Sequence, residues 1–356
     1  MKKVKNRVLD WINTLNYARM FIINYELGVN IMENKIRVGI VGYGNLGRGV
    51  ELALKQNPDF DVKGIFTRRN PTSLGTNGNA IHISKILDYK DEIDVMILCG
   101  GSANDLPEQG PTLAANFNTV DSFDNHGKIP EYFKKIDEVA SCSNKVSLIS
   151  VGWDPGLFSL NRLLAKCILP NGQNYTFWGP GVSQGHSDAV RRIDGVKYAV
   201  QYTIPSKEAI KKIRSGENPQ LGTREKHIRS CYVVPYDFND IDRIEKEIKN
   251  MPNYFLDYDT TVNFITEEEF KREHFKMPHG GFVIHTGSTG GTHKQKIEFN
   301  LSLENNPEFT SSILVAFARA VHRLALEGKK GAFSVFDIPF AYLSPQSEYE
   351  LRKELL

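Results

Sequence analysis

The chain has 356 residues, about 2.4 times the roughly 150 residues of a common single domain, so we expect two domains. Hydrophobic residues make up 40% and charged residues 24%, which excludes a disordered, collagen-like or coiled-coil chain. Lysine and arginine number 44 against 42 aspartates and glutamates, a balance that indicates neither a nucleic-acid surface nor an acidic tail. No apolar run approaches the roughly 20 residues of a membrane span, and four cysteines without a CxxC pair are typical of reduced cytosolic thiols.

Residues 1–34 differ from the rest of the chain. They begin basic and continue apolar, but Asp10, Asn13 and Glu26 interrupt the continuous apolar stretch that a signal peptide needs. We therefore expect an N-terminal extension ahead of the first domain. Met32 lies four residues before the first predicted strand and is a candidate for the natural start of the protein.

Residues 35–155 alternate short apolar strands with helices. Strands are predicted at Ile36–Val41, 61–66, 94–99, 118–123 and 146–151, with helices at 46–56, 108–116 and 130–142. This alternation predicts a doubly wound parallel sheet of the Rossmann type, in which ligands bind at the carboxyl ends of the strands.

Residues 156–306 have a different pattern. A predicted helix at Leu157–Ile168 is followed by a glycine-rich loop over 178–188. Further strands are predicted at 198–204, 229–234, 260–265, 282–285 and 296–303. The last of these alternates apolar and polar residues with a period of two, so this part is predicted to be an α+β domain with an antiparallel or mixed sheet. The C-terminal helices, at about 307–356, are candidates to return to the first domain.

A GxGxxG motif follows the first predicted strand. Gly42 permits the tight turn, Gly44 lets the backbone approach a pyrophosphate, and Gly47 lets the helix pack on the strand. Phosphates would then bind at the helix N-terminus. The alternative is an ordinary strand-turn-helix connection.

The end of the second strand indicates which dinucleotide binds. An NAD site usually carries an acid there, but this strand ends in Thr67, Arg68 and Arg69. Two guanidiniums favour the 2′-phosphate of NADP, and one of them can also stack on the adenine. The alternative is that both arginines are solvated loop charges.

Two aspartates stand at predicted strand ends. Asp124 follows the fourth strand, and Asp154 follows the fifth strand, directly after Trp153. Paired carboxylates suit a cationic substrate group such as an ammonium. Taken singly, each aspartate is as typical of a helix cap or a turn, and Trp153 fits a protein core as well as a pocket wall.

The second domain interleaves polar residues with glycines. Gln184 and Gly185, and His279 before two glycines, lie in such segments, while Thr203 and Arg229 lie on or beside strands. Arg229 is suited to bind a carboxylate through two hydrogen bonds. The alternative is that these are turn and strand-edge residues. Nine histidines do not form an HExxH or comparable cluster, so no metal site is expected.

Taken together, these segments resemble the meso-diaminopimelate dehydrogenase family over roughly 90% of the chain, from Ile36 onward. The matching segments are 41–48, 66–69, 98–102, 120–125, 152–156, 177–181, 183–188, 277–281 and 306–307. The resemblance implies a cytoplasmic homodimer that deaminates meso-2,6-diaminopimelate oxidatively at its D-centre, with NADP, to L-2-amino-6-oxopimelate, ammonia and NADPH. It also implies a place in lysine and diaminopimelate biosynthesis.

The resemblance assigns site residues as well. Asp124, Trp153 and Asp154 would surround the reacting D-centre. The NADP would be lined by Gly42, Tyr43, Gly44, Asn45, Leu46, Gly47, Thr67, Arg68, Arg69, Cys99, Gly100, Gly101, Ser102, Ser122, Phe123, Asp124, Val151, Gly152, Trp153, Asp154 and Pro155. The substrate would be held by Asp124, Asp154, Trp178, Gln184, Gly185, Thr203, Arg229, His279 and Asn306. The proton acceptor stays open between Asp154, Asp124 and a bound water.

Two other functions compete with this hypothesis. One is a related two-domain NADP-dependent reductase acting on a sugar or a cyclic imine, but the 100–105 loop lacks the lysine expected of a sugar enzyme. The other is a non-catalytic NADP sensor, which would bind NADPH without turning over an amino acid.

Overall fold

The structure is a computed structural model that describes residues 35–76 and 79–356. The predicted extension at 1–34, with Met32, lies outside the described residues. The chain divides into two compact units. The first unit comprises the described residues up to Val151 together with Ser311–Leu356, and the second comprises Gly152–Thr310. The sequence analysis predicted the first boundary at 155, a few residues later than in the structure. It predicted the second at 306, a few residues earlier than in the structure.

The first unit contains a seven-stranded parallel sheet, with strands numbered along the chain. Its strands are β1 (Ile36–Val41), β2 (Phe60–Thr67), β3 (Ala80–His82), β4 (Val95–Leu98), β5 (Thr119–Asp121), β6 (Val146–Leu148) and β14 (Gly331–Phe333). The strand order is β14-β6-β5-β4-β1-β2-β3, and every pair is parallel. The order runs outward from β1 in both directions, so the carboxyl ends of β1 and β4 meet at a topological switch point, where ligands of such sheets bind.

The helices of the first unit connect and cover these strands. They are α1 (Asn45–Lys55), α2 (Leu106–Ala114), α3 (Ile129–Cys142), α10 (Asn306–Leu326) and α11 (Glu348–Leu355), with short 3₁₀ segments at Pro71–Ser73, Ile83–Tyr89, His126–Lys128, Val335–Asp337 and Phe340–Leu343. The central strands are almost entirely buried because helices cover the sheet, which explains their continuous apolar runs. A side chain at Gly39 in β1 would put its Cβ only 2.5 Å from the Met96 sulfur, so glycine keeps the sheet face close to its neighbour.

Helix α10 is long and apolar enough to cross a membrane by length and composition, so the expectation that no run approaches that length is wrong for this segment. Its side chains Leu314, Val315 and Val321 are fully buried in the first unit, as in the core helix of a globular domain. Arg319 on the same helix is buried as well, and its guanidinium pairs with Asp59 at 2.6 Å.

The second unit contains two sheets. A four-stranded mixed sheet has the order β11-β10-β9-β8, and a three-stranded antiparallel sheet has the order β13-β12-β7. The strands are β7 (Gln173–Trp178), β8 (Gly181–Val182), β9 (Val196–Pro205), β10 (His227–Pro235), β11 (Asp259–Phe264), β12 (His279–Thr289) and β13 (His293–Leu303). The helices are α4 (Leu157–Ile168), α5 (Gln184–Arg191), α6 (Lys207–Arg214), α7 (Thr223–Lys226), α8 (Ile241–Lys249) and α9 (Glu267–Glu273), with a 3₁₀ segment at Phe238–Asp240.

The structure corrects the sequence prediction at several elements. The predicted glycine-rich loop over 178–188 contains strand β8 and the start of helix α5. Its glycines serve close packing, since a Cβ at Gly181 would come within 2.4 Å of the His279 Cα. The sequence patterns did not show β3, β7, β14, α6, α7 or α9. Three of these are short or edge strands, whose few residues carry too little periodicity to stand out.

Candidate active site

The glycine turn in the first unit joins β1 to α1. Gly42 has a φ of +90°, and its amide donates to the Phe66 carbonyl at 2.8 Å. A Cβ at Gly47 would lie 2.1 Å from the Gly42 carbonyl oxygen, whereas a Cβ at Gly44 would meet nothing within 4 Å. Gly47 is therefore required for packing inside the protein, while Gly44 borders open space that a pyrophosphate can approach.

The two arginines after β2 already have partners in the structure. The Arg68 guanidinium pairs with the Asp105 carboxylate at 2.7 Å, and its side chain is 67% exposed. The Arg69 guanidinium donates to the Tyr43 carbonyl in the glycine turn. Neither contact uses all five guanidinium N–H groups, so both side chains keep donors for a phosphate. No acidic residue lies in the first turn of α1, so this helix end favours an anion.

The remaining cofactor residues predicted in the first unit lie at the carboxyl ends of neighbouring strands. The amide of Asp124 donates to the Ser102 hydroxyl at 3.0 Å, which links the loops after β5 and β4. Burial raises the pKa of the Cys99 thiol, which disfavours the nucleophilic thiolate. The residues concerned are Tyr43, Asn45, Leu46, Thr67, Cys99, Gly100, Gly101, Ser102, Ser122, Phe123, Asp124 and Val151. The other four, Gly152, Trp153, Asp154 and Pro155, begin the second unit.

Asp121, which the sequence analysis did not single out, organises two of these loops. Its carboxylate accepts from the amides of Phe123 at 2.9 Å and Ser150 at 3.0 Å, and from the Tyr132 hydroxyl at 2.8 Å. Burial raises the pKa of Asp121 to about 6, although these three hydrogen bonds favour its ionised form. The network holds the loops after β5 and β6 in register. In the sequence, the only indication of this network is that Asp121 is an acidic residue at the end of a buried strand.

In the second unit, both carboxylate oxygens of Asp154 have hydrogen-bond partners. The side chain has no exposed surface, and its two oxygens bind the Arg162 guanidinium at 2.7 and 3.3 Å. The Trp178 indole also donates to one carboxylate oxygen at 2.6 Å. The structure thus brings together two predicted residues, Asp154 and Trp178, around an arginine that the sequence analysis missed. Asp124, in the first unit, is exposed, and its carboxylate has no partner among the described residues.

Trp153, His279 and Asn306 form a second cluster in this unit. The Trp153 indole donates to the Asn306 side-chain oxygen at 2.9 Å, and the Trp153 and His279 rings lie 4.9 Å apart. Trp153 is 8% exposed. The sequence left it open whether Trp153 is a core or a pocket residue. In the structure Trp153 contacts the polar side chains of Asn306 and His279, so it does not only pack in an apolar core.

Arg229 is a buried cation without an acidic neighbour among the described residues. It is 5% exposed, and its Nε atom has no hydrogen-bond partner. The register of β9 against β10 places it opposite Thr203, whose hydroxyl accepts from the guanidinium. The guanidinium also stacks on the Tyr258 ring at 3.9 Å. Burial lowers the pKa of Arg229, and a buried charge of this kind is costly unless a counter-charge is supplied.

The imidazoles around Arg229 are neutral, so they do not compete with Arg229 as the cation that pairs with a bound anion. Burial lowers the pKa of His186 and of His227 to about 3, and the Arg229 charge acts in the same direction. Burial also lowers the pKa of His279. The backbone amide of Trp178 donates to the His227 Nε2 at 2.9 Å, which requires an unprotonated nitrogen.

Gln184 and Gly185 open helix α5. The Gln184 amide contacts the Met277 sulfur at 3.0 Å, and a Cβ at Gly185 would meet nothing within 4 Å. Gln201, which the sequence analysis missed, is fully buried on β9 beside Thr203, and its side-chain oxygen has no partner. Within the described residues, no group of three histidine, cysteine or acidic side chains is placed to hold a metal ion.

Known proteins resemble this chain closely. The family described as diaminopimelic acid dehydrogenase C-terminal domain matches residues 152–305. A meso-diaminopimelate D-dehydrogenase from Ureibacillus thermosphaericus is 63% identical over 325 residues, which are 91% of this chain and 100% of that protein. The chain belongs to the meso-diaminopimelate dehydrogenase family.

Solved structures of this family extend the likeness to the fold. A six-fold substituted meso-diaminopimelate dehydrogenase from Clostridium tetani, crystallised with DAP, is 60% identical with a TM-score of 0.86, covering 90% of this chain and 100% of its own. An engineered D-amino acid dehydrogenase bound to NADP⁺ is 46% identical with a TM-score of 0.83, covering 91% and 100%. These relatives confirm the family and the Rossmann-type fold class predicted from the sequence.

The substituted positions of the Clostridium tetani dehydrogenase can be compared with this chain. They are a glutamine, a threonine, an arginine, a proline, a histidine and an asparagine. The same residue types occur here in the same order and at the same intervals, at Gln184, Thr203, Arg229, Pro278, His279 and Asn306. Five of these six are residues that the resemblance assigned to the substrate.

Proposed function

We propose that this chain catalyses the reversible, NADP-dependent oxidative deamination of meso-2,6-diaminopimelate at its D-configured carbon. The products are L-2-amino-6-oxopimelate, ammonia and NADPH, and the reaction serves lysine and diaminopimelate biosynthesis. Identity of 63% over the full length of a meso-diaminopimelate D-dehydrogenase supports this enzyme class, an NADP-dependent amino-acid dehydrogenase. The observation that supports this substrate is the state of Arg229, a buried guanidinium without an acidic partner among the described residues.

The end of the substrate away from the reaction carries a carboxylate and an ammonium. The carboxylate compensates Arg229 and satisfies its unpartnered Nε, which explains why a cation is buried here at all. Neutral imidazoles nearby donate hydrogen bonds without adding charge. The residues assigned to this end are Trp178, Gln184, Gly185, Thr203, Arg229, His279 and Asn306.

The reacting end of the substrate is assigned to Asp124, Asp154 and Trp153. Two carboxylates suit the ammonium at the D-centre, since each can accept a charge-assisted hydrogen bond from it. Acids at this end and Arg229 at the other give the two ends unlike surroundings. That asymmetry lets the protein select one of the two amino-acid centres for reaction.

Two observations support NADP binding by the first unit. Gly44 borders open space at the start of α1, and Arg68 and Arg69 stand where an NAD enzyme carries an acid. When bound, NADP supplies the acceptor for the hydride that leaves the D-carbon. The glycine turn and α1 hold its phosphates, and the arginines hold the 2′-phosphate.

A homodimer is part of this proposal. Helix α4 presents an apolar stripe on its outer face, where Leu163, Leu164 and Ile168 are between 43% and 57% exposed. Such a patch on a globular protein is typical of an interaction surface, and a second copy is the partner that the family resemblance implies. The resemblance also implies a cytoplasmic protein that binds neither nucleic acid nor membrane.

The test is an assay of the purified chain with NADP and each stereoisomer of diaminopimelate, following NADPH absorbance. We expect turnover with the meso isomer and none with the LL isomer, which lacks a D-centre. The sensor hypothesis predicts NADPH binding without turnover on any isomer. Absence of NADPH formation with the meso isomer contradicts the proposed function.

A further inference from the structure

The ion pair between Asp154 and Arg162 bears on how the reacting end of the substrate is held. We propose that Arg162 is a positioning residue, which holds the carboxylate of Asp154 in a fixed orientation as an acceptor for the substrate ammonium. The proposal rests on the function proposed above. It separates the roles of the two aspartates, which the sequence left undivided.

The contacts of Arg162 point toward Asp154 and away from solvent. Its two terminal nitrogens bind the two carboxylate oxygens of Asp154 in a fork, at 2.7 and 3.3 Å. The same nitrogens donate to the hydroxyls of Ser159 at 3.0 Å and Thr176 at 3.2 Å. The guanidinium is therefore held by four hydrogen bonds, two to Asp154 and one each to Ser159 on α4 and Thr176 on β7, and cannot swing freely around the carboxylate.

Burial makes this arginine necessary. The Asp154 side chain has no exposed surface, and an ionised carboxylate in that position is costly without a counter-charge. Arg162, whose side chain is 27% exposed, supplies that counter-charge. With the Trp178 indole as a third donor, three of about four lone-pair positions on the carboxylate are occupied, which leaves one, on Oδ1, for the substrate ammonium.

This arrangement argues against Asp154 as the proton acceptor. The Asp154 side chain has no exposed surface, so a proton taken up there would have no direct route to solvent. Asp124 has no side-chain partner among the described residues and is exposed. Proton uptake from the substrate ammonium then falls to Asp124 or to water, and Asp154 supplies charge and orientation.

A double-mutant cycle tests whether Arg162 acts through Asp154. Arg162→Met should lower kcat/KM for meso-diaminopimelate by about 10- to 150-fold, the scale of a lost charge-assisted hydrogen bond. In an Asp154→Asn background the same change should cost less than about threefold, because its partner is gone. Arg162→Lys keeps the charge and should recover activity to within about tenfold of wild type.

Two controls separate positioning from folding. The NADP dissociation constant should change by less than about twofold in the Arg162 variants, because Arg162 is not among the residues assigned to the cofactor. Arg243→Met removes an exposed arginine with two ion pairs on α8 and should leave kcat/KM unchanged. If Arg162→Met does not fold, the cycle is run with Arg162→Lys, whose smaller loss must likewise vanish in the Asp154→Asn background.

The outcomes distinguish this inference from the proposed function. Lack of wild-type turnover with meso-diaminopimelate overturns both. If the wild type turns over meso-diaminopimelate and the kcat/KM of Arg162→Met stays within about threefold of the wild-type value, the inference alone is overturned. Equal losses from Arg162→Met in the wild-type and Asp154→Asn backgrounds do so as well, because a merely structural arginine acts independently of Asp154.

Discussion

Arg229 shows how a single buried charge can specify a ligand. The side chain is held by Thr203 and stacked on Tyr258, so its position does not depend on a substrate. Its charge, however, has no acidic partner among the described residues, and the neighbouring imidazoles are neutral. The protein therefore carries an uncompensated cation at a defined place, which a substrate carboxylate can neutralise.

Replacing this residue tests its role at the far end of the substrate. Arg229→Met should raise KM for meso-diaminopimelate by about 10- to 150-fold, since a charge-assisted hydrogen bond contributes about 1.5–3 kcal/mol. The value of kcat should change much less, because the residue acts away from the hydride. Steady-state kinetics at saturating NADP give both constants.

A small apolar D-amino acid is the matched substrate control for this variant. It leaves Arg229 and His279 without partners and should be a poor substrate of the wild type. The variant should show a smaller preference for meso-diaminopimelate over such a compound. A variant that instead loses turnover at saturating substrate would place Arg229 at the reacting centre.

At the scale of elements, the cofactor site is a set of loops at one edge of a parallel sheet. Strands β1, β2, β4, β5 and β6 each end in a residue or loop that the resemblance assigns to NADP. The loops are tied together by side chains and not by the strands alone. Asp105 binds both the Gly101 amide and Arg68, and Asp121 joins the loops after β5 and β6. These side-chain contacts hold the element ends together at the carboxyl edge of the sheet.

The turn after β2 should decide the choice of dinucleotide. Arg68→Ala should weaken NADP binding by about 10- to 150-fold and leave NAD binding nearly unchanged, because only NADP has the 2′-phosphate. Arg69→Ala should weaken both dinucleotides, since Arg69 also supports the Tyr43 carbonyl in the glycine turn. Titration of each variant with NADP and NAD, followed by fluorescence, measures the two effects.

Lys63 on β2 provides a control for loss of a cation in the same region. It pairs with Asp61 at 2.7 Å, and Lys63→Ala should leave both affinities unchanged. Equal losses of NADP and NAD binding in the Arg68→Ala variant would mean that this arginine supports the turn or the shared pyrophosphate. In that case it would not recognise the 2′-phosphate.

At the scale of the whole molecule, the feature that points beyond a single chain is the exposed apolar stripe on α4. The stripe on α4 in the second unit repeats at helical spacing, with Leu163, Leu164 and Ile168 on one face. The opposite face of α4, including Phe158 and Ala165, is buried inside the unit. A helix that is apolar on both faces is expected where a second partner covers the outer one.

Charges placed on this stripe should therefore dissociate the proposed homodimer. Leu164→Glu with Ile168→Glu would bury four unpaired carboxylates in a symmetric interface of two copies. We expect the wild type at twice the chain mass and the variant at the chain mass by light scattering after size exclusion. Leu52→Glu on α1, which also replaces a half-exposed leucine, should remain dimeric. A variant that stays dimeric would place the interface elsewhere.

Much of the first unit could be predicted because its signals are local. The apolar runs of β1, β2 and β4, the glycine motif and the missing acid after β2 are all patterns within about ten residues. The family resemblance added the activity, NADP and the site residues. The short strand β14 was missed, because its three residues gain meaning only by pairing with β6, almost 200 positions earlier in the chain.

The sequence by itself determined the family, the fold class and the chemical types present at the site. Only the tertiary structure decided which charges have partners. Arg162 and Asp154 form an ion pair because α4 places Arg162 beside the loop that precedes the helix, whereas Arg229 is left without an acid because the β9–β10 register puts Thr203 opposite it. Both outcomes depend on how elements pack against their neighbours, and sequence periodicity carries no information about that packing. The division of labour proposed for Asp154 and Asp124 follows from that difference.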